Sequence, residues 1–436
     1  MDDTSLAATA IDAPTAVPGA LTDDQVRARI DAGTPTALYE GKRVLVLTPD
    51  ATRTAPMPQL VRAVHDTIGE RAAQLDFMVA LGTHSVMSDD QLDALYGLSP
   101  ELRAGEYADH RFLNHRWDQP DSLKKIGTIR AEEVASLSEG RFSEAVEVTI
   151  NRAIFEYDLL LIVGPVFPHE IVGFSGGHKY LFPGISGGEF LDFFHWMSAV
   201  ITCRKTIGRE DTPARRVIEK AASMVEVPCH LVALVVSSAS GMTQMEVGRP
   251  TEAWPAAVAA SRAMHIVHTP RAYDLVLGHA PEMYDEMWVA GKVMYKLEPI
   301  VADGGKLIIY GPHITEISRT WGKHLQQTGY HVASYFDAQA ARFAEVPRGV
   351  LAHSALVKGE GSYAGGVERP RIEVVLATGI DRTTCERINL GYLDHREVDI
   401  DSYRGREDEG VRYVPHAGET LHRVSGSPAE RLHRER

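Results

Sequence analysis

RVLVLTPDATRTAPMPQLVRAVHDTIGERAAQLDFMVALGTH, residues 43–84, is the stretch whose reading decides the fold. RVLVLTPD (Arg43 to Asp50) is a short apolar run that stops at a turn, the pattern of a buried strand. PMPQLVRAVHDTIGERA follows with apolar residues at helical spacing and proline in its first turn, where a missing N–H costs nothing. LDFMVALGTH (Leu75 to His84) is a second apolar run, ended by Gly82-Thr83-His84. Strand-like runs alternating with helical patterns are the signature of an α/β fold.

The alternation continues outward. SDDQLDALYG reads as a helix with Ser88 as N-cap, YDLLLIVGPV (Tyr157 to Val166) as a third strand, and HLVALVVSS (His230 to Ser238) as another. A second set begins near Arg271: strand YDLVLGHAP (Tyr273 to Pro281), helix EMYDEMWVAGKVMYKLEPIV, then strands GGKLIIYGPH (Gly304 to His313) and RIEVVLATGI (Arg371 to Ile380). At 436 residues the chain exceeds one ordinary core, so two α/β domains with parallel-type sheets are expected. The expected division is a loose leader over 1–24, an N-terminal domain over 25–268, a C-terminal α/β domain over 269–405 and a charged surface extension over 406–436.

Hydrophobic content of 44% and charged content of 24% describe a globular chain, and a net charge of −14 argues against a nucleic-acid surface. An anionic ligand must therefore be drawn in by a local cationic site. Cys203, Cys229 and Cys385 are widely spaced and odd in number, which fits a reducing compartment and gives neither a disulfide framework nor a zinc cluster. The acidic start lacks the basic and apolar regions of a signal peptide, and no long apolar run suggests a membrane span, so a cytoplasmic protein is expected.

Chemistry concentrates between Pro165 and His195, PVFPHEIVGFSGGHKYLFPGISGGEFLDFFH, where His169, His178, Lys179 and His195 are threaded through glycines and prolines. Glycine permits close backbone approach, and imidazoles beside a lysine can move protons, bind a metal or offer a covalent handle. HEIVGF is not HExxH, and GFSGGHK lacks phosphate-loop spacing, since Tyr180 follows the lysine. Asp50-Ala51-Thr52-Arg53 suits a carboxylate or phosphate but reads equally as a capped turn. His84 after Gly-Thr, His115 in Asn114-His115-Arg116-Trp117-Asp118, and Lys292 each admit a structural reading as well as a functional one. Ligands in α/β sheets bind where strands end. Asp50–Arg53, Gly82–His84 and Pro165–Lys179 each follow a predicted strand, so one crevice faced by Pro281–Lys292 is expected.

In order, DATRTAP, GTH, NHRWD, the PH…GFSGGHK…PG…H block and the Pro281–Lys292 segment resemble the nickel-dependent lactate racemase family, over most of residues 40–300. The resemblance implies two α/β domains with a nickel pincer, a pyridinium-3,5-bisthiocarboxylic acid mononucleotide, between them; residues 25–268 would be the cofactor-binding domain. It implies His195 as the protein ligand to nickel, in a site suggested to be square-planar. Lys179 would be the cofactor's tether, with Asp50, Thr52, Gly176 and Gly177 near the cofactor. His84 and His169 would be the acid/base pair, and Arg53 and Lys292 the holders of the substrate. The implied reaction inverts C2 of a 2-hydroxy acid by reversible hydride transfer through a 2-keto acid. Proteins that synthesise the cofactor and insert nickel would be partners; nucleic acid and membrane would not.

Two residues depart from the family pattern. Ser85 stands where the family's GTHR has arginine, and Val289 where a glutamine commonly precedes the lysine. Both changes point away from lactate. Asp285 and Glu286 could meet sugar hydroxyls, which places an aldonate slightly ahead of an apolar-tailed acid contacting Trp288 and Val289. A zinc- or iron-dependent lyase or hydrolase using the same histidines, and a non-catalytic nickel or organic-acid binder, are the alternatives. His178 receives no role.

Overall fold

The computed structural model describes residues 19–237 and 241–426. The first sheet runs in the order Met242–Gly248, Cys229–Val236, Leu159–Pro165, Arg43–Thr48, Gln74–Val79, Phe112–Asn114. All neighbours are parallel except Met242–Gly248, which returns antiparallel along one edge. Arg43–Thr48 sits centrally, Val46 opposite both Phe77 and Leu161. Its alternate residues divide between two apolar layers, Leu45 and Leu47 facing one and Val44 and Val46 the other. That two-sided burial is why the run is continuously apolar.

The second sheet is parallel throughout, in the order Gly391–Tyr392, Glu373–Thr378, Val301–Gly311, Tyr273–His279, Val411–Val414. One apolar cluster spans both domains, joining Leu45 and Ile162 through Phe190 and Trp196 to Ala290, Leu307 and Leu376. Both domains therefore share a packed interface. Among the described residues no helix is long and apolar enough to cross a membrane.

Ser88 does cap its helix, accepting from the Gln91 amide in a capping box. The helix expected from Glu282 to Val301 forms only over Met287–Leu297; Pro281 instead starts a turn, its carbonyl accepting from the Tyr284 amide at 2.9 Å.

The charged C-terminal extension is the clearest correction. Val411–Val414 is the edge strand beside Tyr273–His279, and Leu421–Val424 pairs in parallel with Ile266–Thr269. Ala417 and Leu421 are fully buried. The expectation failed because these strands are short and set among charges, so order comes from distant partners rather than from a local pattern. The boundary expected at 268–269 falls inside Ile266–Thr269. Of the leader, residues 1–18 lie outside the described residues, while Thr22 caps the helix Asp23–Gly33 and the Leu21 amide donates to the Met242 carbonyl at 2.7 Å. Residues 427–436 likewise lie outside the described residues.

Candidate active site

A cavity of about 660 Å³ opens where three strands of the first sheet end and the helix Met287–Leu297 faces them. Asp50, Thr52, Arg53, His84, His169, Gly176, Lys179, His195 and Lys292 all line it.

The loop after Arg43–Thr48 folds on Asp50, whose Oδ1 accepts from the Thr52 amide at 3.1 Å and its hydroxyl at 2.6 Å, a side-chain turn that aspartate favours. The other carboxylate oxygen pairs with His84 Nδ1. Burial would raise the Asp50 carboxyl, but the charge and hydrogen bond of His84, helped by Arg53 and Thr52, hold it well below the usual carboxylate range. An ionised Asp50 fixes the His84 tautomer, proton on Nδ1, and leaves Nε2 for a ligand.

Thr52 also brings two cations together. Its carbonyl oxygen receives Arg53 Nη1 at 3.4 Å and Lys292 Nζ at 3.2 Å, the first from the N-terminal domain and the second from the C-terminal one. Lys292 further lies over the Tyr284 ring, 4.8 Å from its centroid. Burial first, and Arg53 second, push the Lys292 amine well below its ordinary value. An anion seated between these groups would offset both effects by stabilising the charged amine.

The glycine-rich block forms a backbone cradle. Pro168–His169 and Gly173–Phe174 pair as a short antiparallel ladder, followed by a tight turn over Gly177–Tyr180. Gly176 has φ +78°, and an added Cβ would lie 2.6 Å from Val166, so only glycine fits. Buried Arg215 braces the cradle from outside, donating to the carbonyls of Phe174 and Gly176 and lying 4.2 Å over the Trp254 ring. Trp254 Nε1 donates to the Ser175 carbonyl at 2.8 Å.

The cradle delivers Lys179 into the cavity. Burial, then the nearby Arg53, lower its amine to about 7 against the pull of Glu170 and Asp50. A substantial fraction is therefore unprotonated and nucleophilic at neutral pH. His195, on the helix Gly188–Ile201, donates Nδ1–H to the Leu191 carbonyl at 2.7 Å, one turn back. Its Nε2 keeps its lone pair, and burial lowers the ring to about 4, so it is neutral; a neutral imidazole with its other nitrogen anchored is the usual metal-ligand state.

His169 is buried at 5% exposure. Burial, then Lys179 and Arg53, hold it neutral, well below the ordinary histidine range. Its Nδ1 accepts from the Ile171 amide at 3.2 Å and lies 3.4 Å from the Glu170 carboxylate.

Other expected residues go elsewhere. Gly177 packs its α-carbon toward Trp254 and does not line the cavity. His178 pairs with Glu219 at 2.5 Å outside it. His115 is fully buried, donating from Nε2 to the Ser186 carbonyl at 3.0 Å and accepting from Asn151, a structural role. Ser85, Trp288 and Val289 line the cavity, as do Asp285 and Glu286. The two acids are engaged, Asp285 by Arg319 Nη1 at 2.6 Å and Glu286 by the Arg319 amide at 2.7 Å. Sequence reasoning missed Glu170, His353 and Arg215. His353 stacks on Trp288 at 4.0 Å and bonds the Tyr295 hydroxyl at 3.0 Å. Only Glu170, next to His169, had a signal in the sequence.

Comparison with known proteins shows what the chain is similar to. Residues 24–208 match the lactate racemase N-terminal domain. Lactate racemase from Thermoanaerobacterium thermosaccharolyticum is 28% identical over 152 residues, which are 34% of this chain and 31%, about a third, of that protein. A crystal structure of a Thermotoga maritima protein superposes with a TM-score of 0.85 at 28% identity, covering 93% of this chain and 99% of the other. The lactate racemase apoprotein of T. thermosaccharolyticum shares the fold, with a TM-score of 0.71 at 18% identity and 92% coverage of each chain. Over residues 24–208 the chain thus carries a match to the lactate racemase N-terminal domain, and across both domains it shares the fold of the lactate racemase apoprotein.

Proposed function

We propose that the protein is a racemase or epimerase that inverts C2 of a 2-hydroxy acid. The carrying observation is the pair of cations, Arg53 and Lys292, held on one carbonyl oxygen in a cavity that also presents His84 and His169. A carboxylate meets the cations, and two imidazoles serve the hydroxyl proton in the two directions of reaction.

The residues present fit a nickel pincer nucleotide. His195 offers an unprotonated Nε2, Lys179 an amine able to form an amide at neutral pH, and Gly176 backbone at the cavity wall. When bound, that group would supply the hydride acceptor, which this chain's side chains lack. The chain itself moves protons. His84 Nε2 takes the hydroxyl proton of one enantiomer, and Asp50 stabilises the resulting imidazolium. His169, neutral at rest with Nδ1 accepting from the Ile171 amide, serves the other enantiomer by giving its Nε2 proton to the substrate oxygen and recovering one when the reaction runs back, with Glu170 3.4 Å from Nδ1. Arg53 and Lys292 hold the carboxylate and the oxygen that alternates between alcohol and ketone.

Two features bear on the substrate's tail. Trp288 lies one helical turn before Lys292, backed by His353, with Val289 beside it. Asp285 and Glu286, the residues that favoured an aldonate, are already bonded to Arg319. The wall nearest Lys292 is thus aromatic and aliphatic, which favours an apolar-tailed acid over an aldonate.

The test is a panel running from lactate through a phenyl-tailed 2-hydroxy acid to gluconate, followed for C2 inversion with nickel-loaded protein. Inversion lost in His84→Ala and His169→Ala supports the proposal. Absence of inversion across the panel, or full activity with zinc after nickel removal, would overturn it.

A further inference from the structure

The C-terminal segment continues past the second sheet and passes behind Lys292, one of the residues of the cavity wall. After Val411–Val414 the Ala417 amide donates to the His279 carbonyl at 2.8 Å, and Leu421–Val424 then pairs with Ile266–Thr269. Between these anchors Gly418 has φ +104°, and an added Cβ would stand 2.6 Å from the Tyr284 ring and 3.2 Å from Lys292 Cβ. Only glycine lets the backbone pass this close to the ring beneath Lys292. The next residue, Glu419, accepts from Thr54 Oγ1 at 3.2 Å, across the domain interface. Thr54 directly follows Arg53.

We propose that Glu419 is a positioning residue for the anion-binding loop, its carboxylate tying Thr54 to the C-terminal segment so that Arg53 and Lys292 stay in register across the two domains. The proposal rests on the assignment of Arg53 and Lys292 to the substrate's carboxylate and oxygen. The geometry supports it from both sides. Gly418 packs on the Lys292 side chain and its Tyr284 support, while Glu419 holds the loop that supplies Arg53 and the Thr52 carbonyl bonded to Lys292. No other described hydrogen bond from a Thr54 side chain competes with this one. Thr54 adjoins Arg53, whose carboxylate partner keeps its charge throughout the reaction, so loosening this loop weakens binding more than it slows the chemical step.

The experiment uses the full chain with three variants. Glu419→Ala and Thr54→Val each remove the bond from one end; Glu419→Gln keeps an acceptor oxygen and removes the charge. In nickel-loaded protein, Glu419→Ala is expected to raise KM for the best 2-hydroxy acid of the panel about tenfold, with kcat changed less than about twofold, the cost of one lost hydrogen bond at about 1.4 kcal/mol per decade. Thr54→Val should match it, the double variant should be no worse than either single one, and Glu419→Gln should recover most of the loss. Additive losses in the double variant, or a fall in kcat with KM unchanged, would overturn the proposal. Amide hydrogen exchange across residues 50–56 of the protein without cofactor reads the same contact independently of turnover. Faster exchange in Glu419→Ala, restored in Glu419→Gln, is expected, and unchanged exchange would overturn the proposal. Failure of the wild-type protein to invert any acid would count against the racemase assignment, while the exchange result still decides whether Glu419 orders the loop.

Discussion

Replacing Lys179 by methionine should stabilise the protein made without cofactor, although the position lies at the centre of the site. The folded environment lowers the amine from 10.5 to about 7, burial being the main cause and Arg53 the next. Across that window the unfolded chain binds a proton that the folded one releases, so wild-type stability rises with pH between about 7 and 10.5. At about 1.4 kcal/mol per pH unit, burying this amine costs on the order of 4 kcal/mol at pH 7 and about 2 kcal/mol at pH 9. Methionine keeps the aliphatic volume and has no charge to desolvate. Denaturant unfolding of both proteins at the two pH values measures the difference. A stability gain for Lys179→Met at pH 7 that halves by pH 9 is expected. A variant less stable than wild type at pH 7, or a gap that does not change with pH, would refute the reasoning. Protein acylated at Lys179 should show no such pH dependence, because the amide carries no titrating proton.

Other perturbations have equally direct readouts. Asp50→Asn should lower kcat about 10²-fold with the fold intact, since His84 loses the carboxylate that sets its tautomer; steady-state kinetics and circular dichroism check both halves. His195→Ala should reduce bound nickel from stoichiometric to trace levels in protein from a cofactor-producing host, read by elemental analysis. Gly164→Ala should unfold or severely destabilise the protein, by about 3 kcal/mol or more, because an added methyl overlaps the Tyr180 hydroxyl; the melting transition reports it. Trp288→Ala should lower kcat/KM for a phenyl-tailed acid about tenfold relative to lactate, the worth of one aromatic contact.

Much of this architecture is legible in the chain because parallel strands buried on both faces announce themselves as unbroken apolar runs. Leu159–Pro165 and Arg43–Thr48 are of this kind, and the loops after them were placed by the rule that ligands sit at strand ends. The edges were not legible. Met242–Gly248 has its alternation broken by the adjacent Thr243 and Gln244, where the register shifts, and Val411–Val414 offers little more than two buried valines amid charges. Such strands form because a partner's open backbone is there to pair with, a fact that is not local. The site divides in the same way. Glycines beside His169 and Lys179 could be read directly, whereas the Trp288–His353 stack joins helices distant in sequence. Arg215 braces the cradle from a third helix, and an arginine in a helix carries no mark of burial. His178 shows the converse: its sequence neighbours suggested a site, and its ring turns outward to Glu219.

The central claim is that C2 is inverted by hydride transfer with protons moving only at oxygen. Inversion of a 2-hydroxy acid by nickel-loaded protein in D2O, followed by NMR of the C2 hydrogen, tests it most directly. The account predicts that configuration scrambles while the C2 hydrogen is retained, and that His84→Ala and His169→Ala abolish the scrambling. Deuterium appearing at C2 at the rate of inversion would mean proton abstraction from carbon and would contradict it.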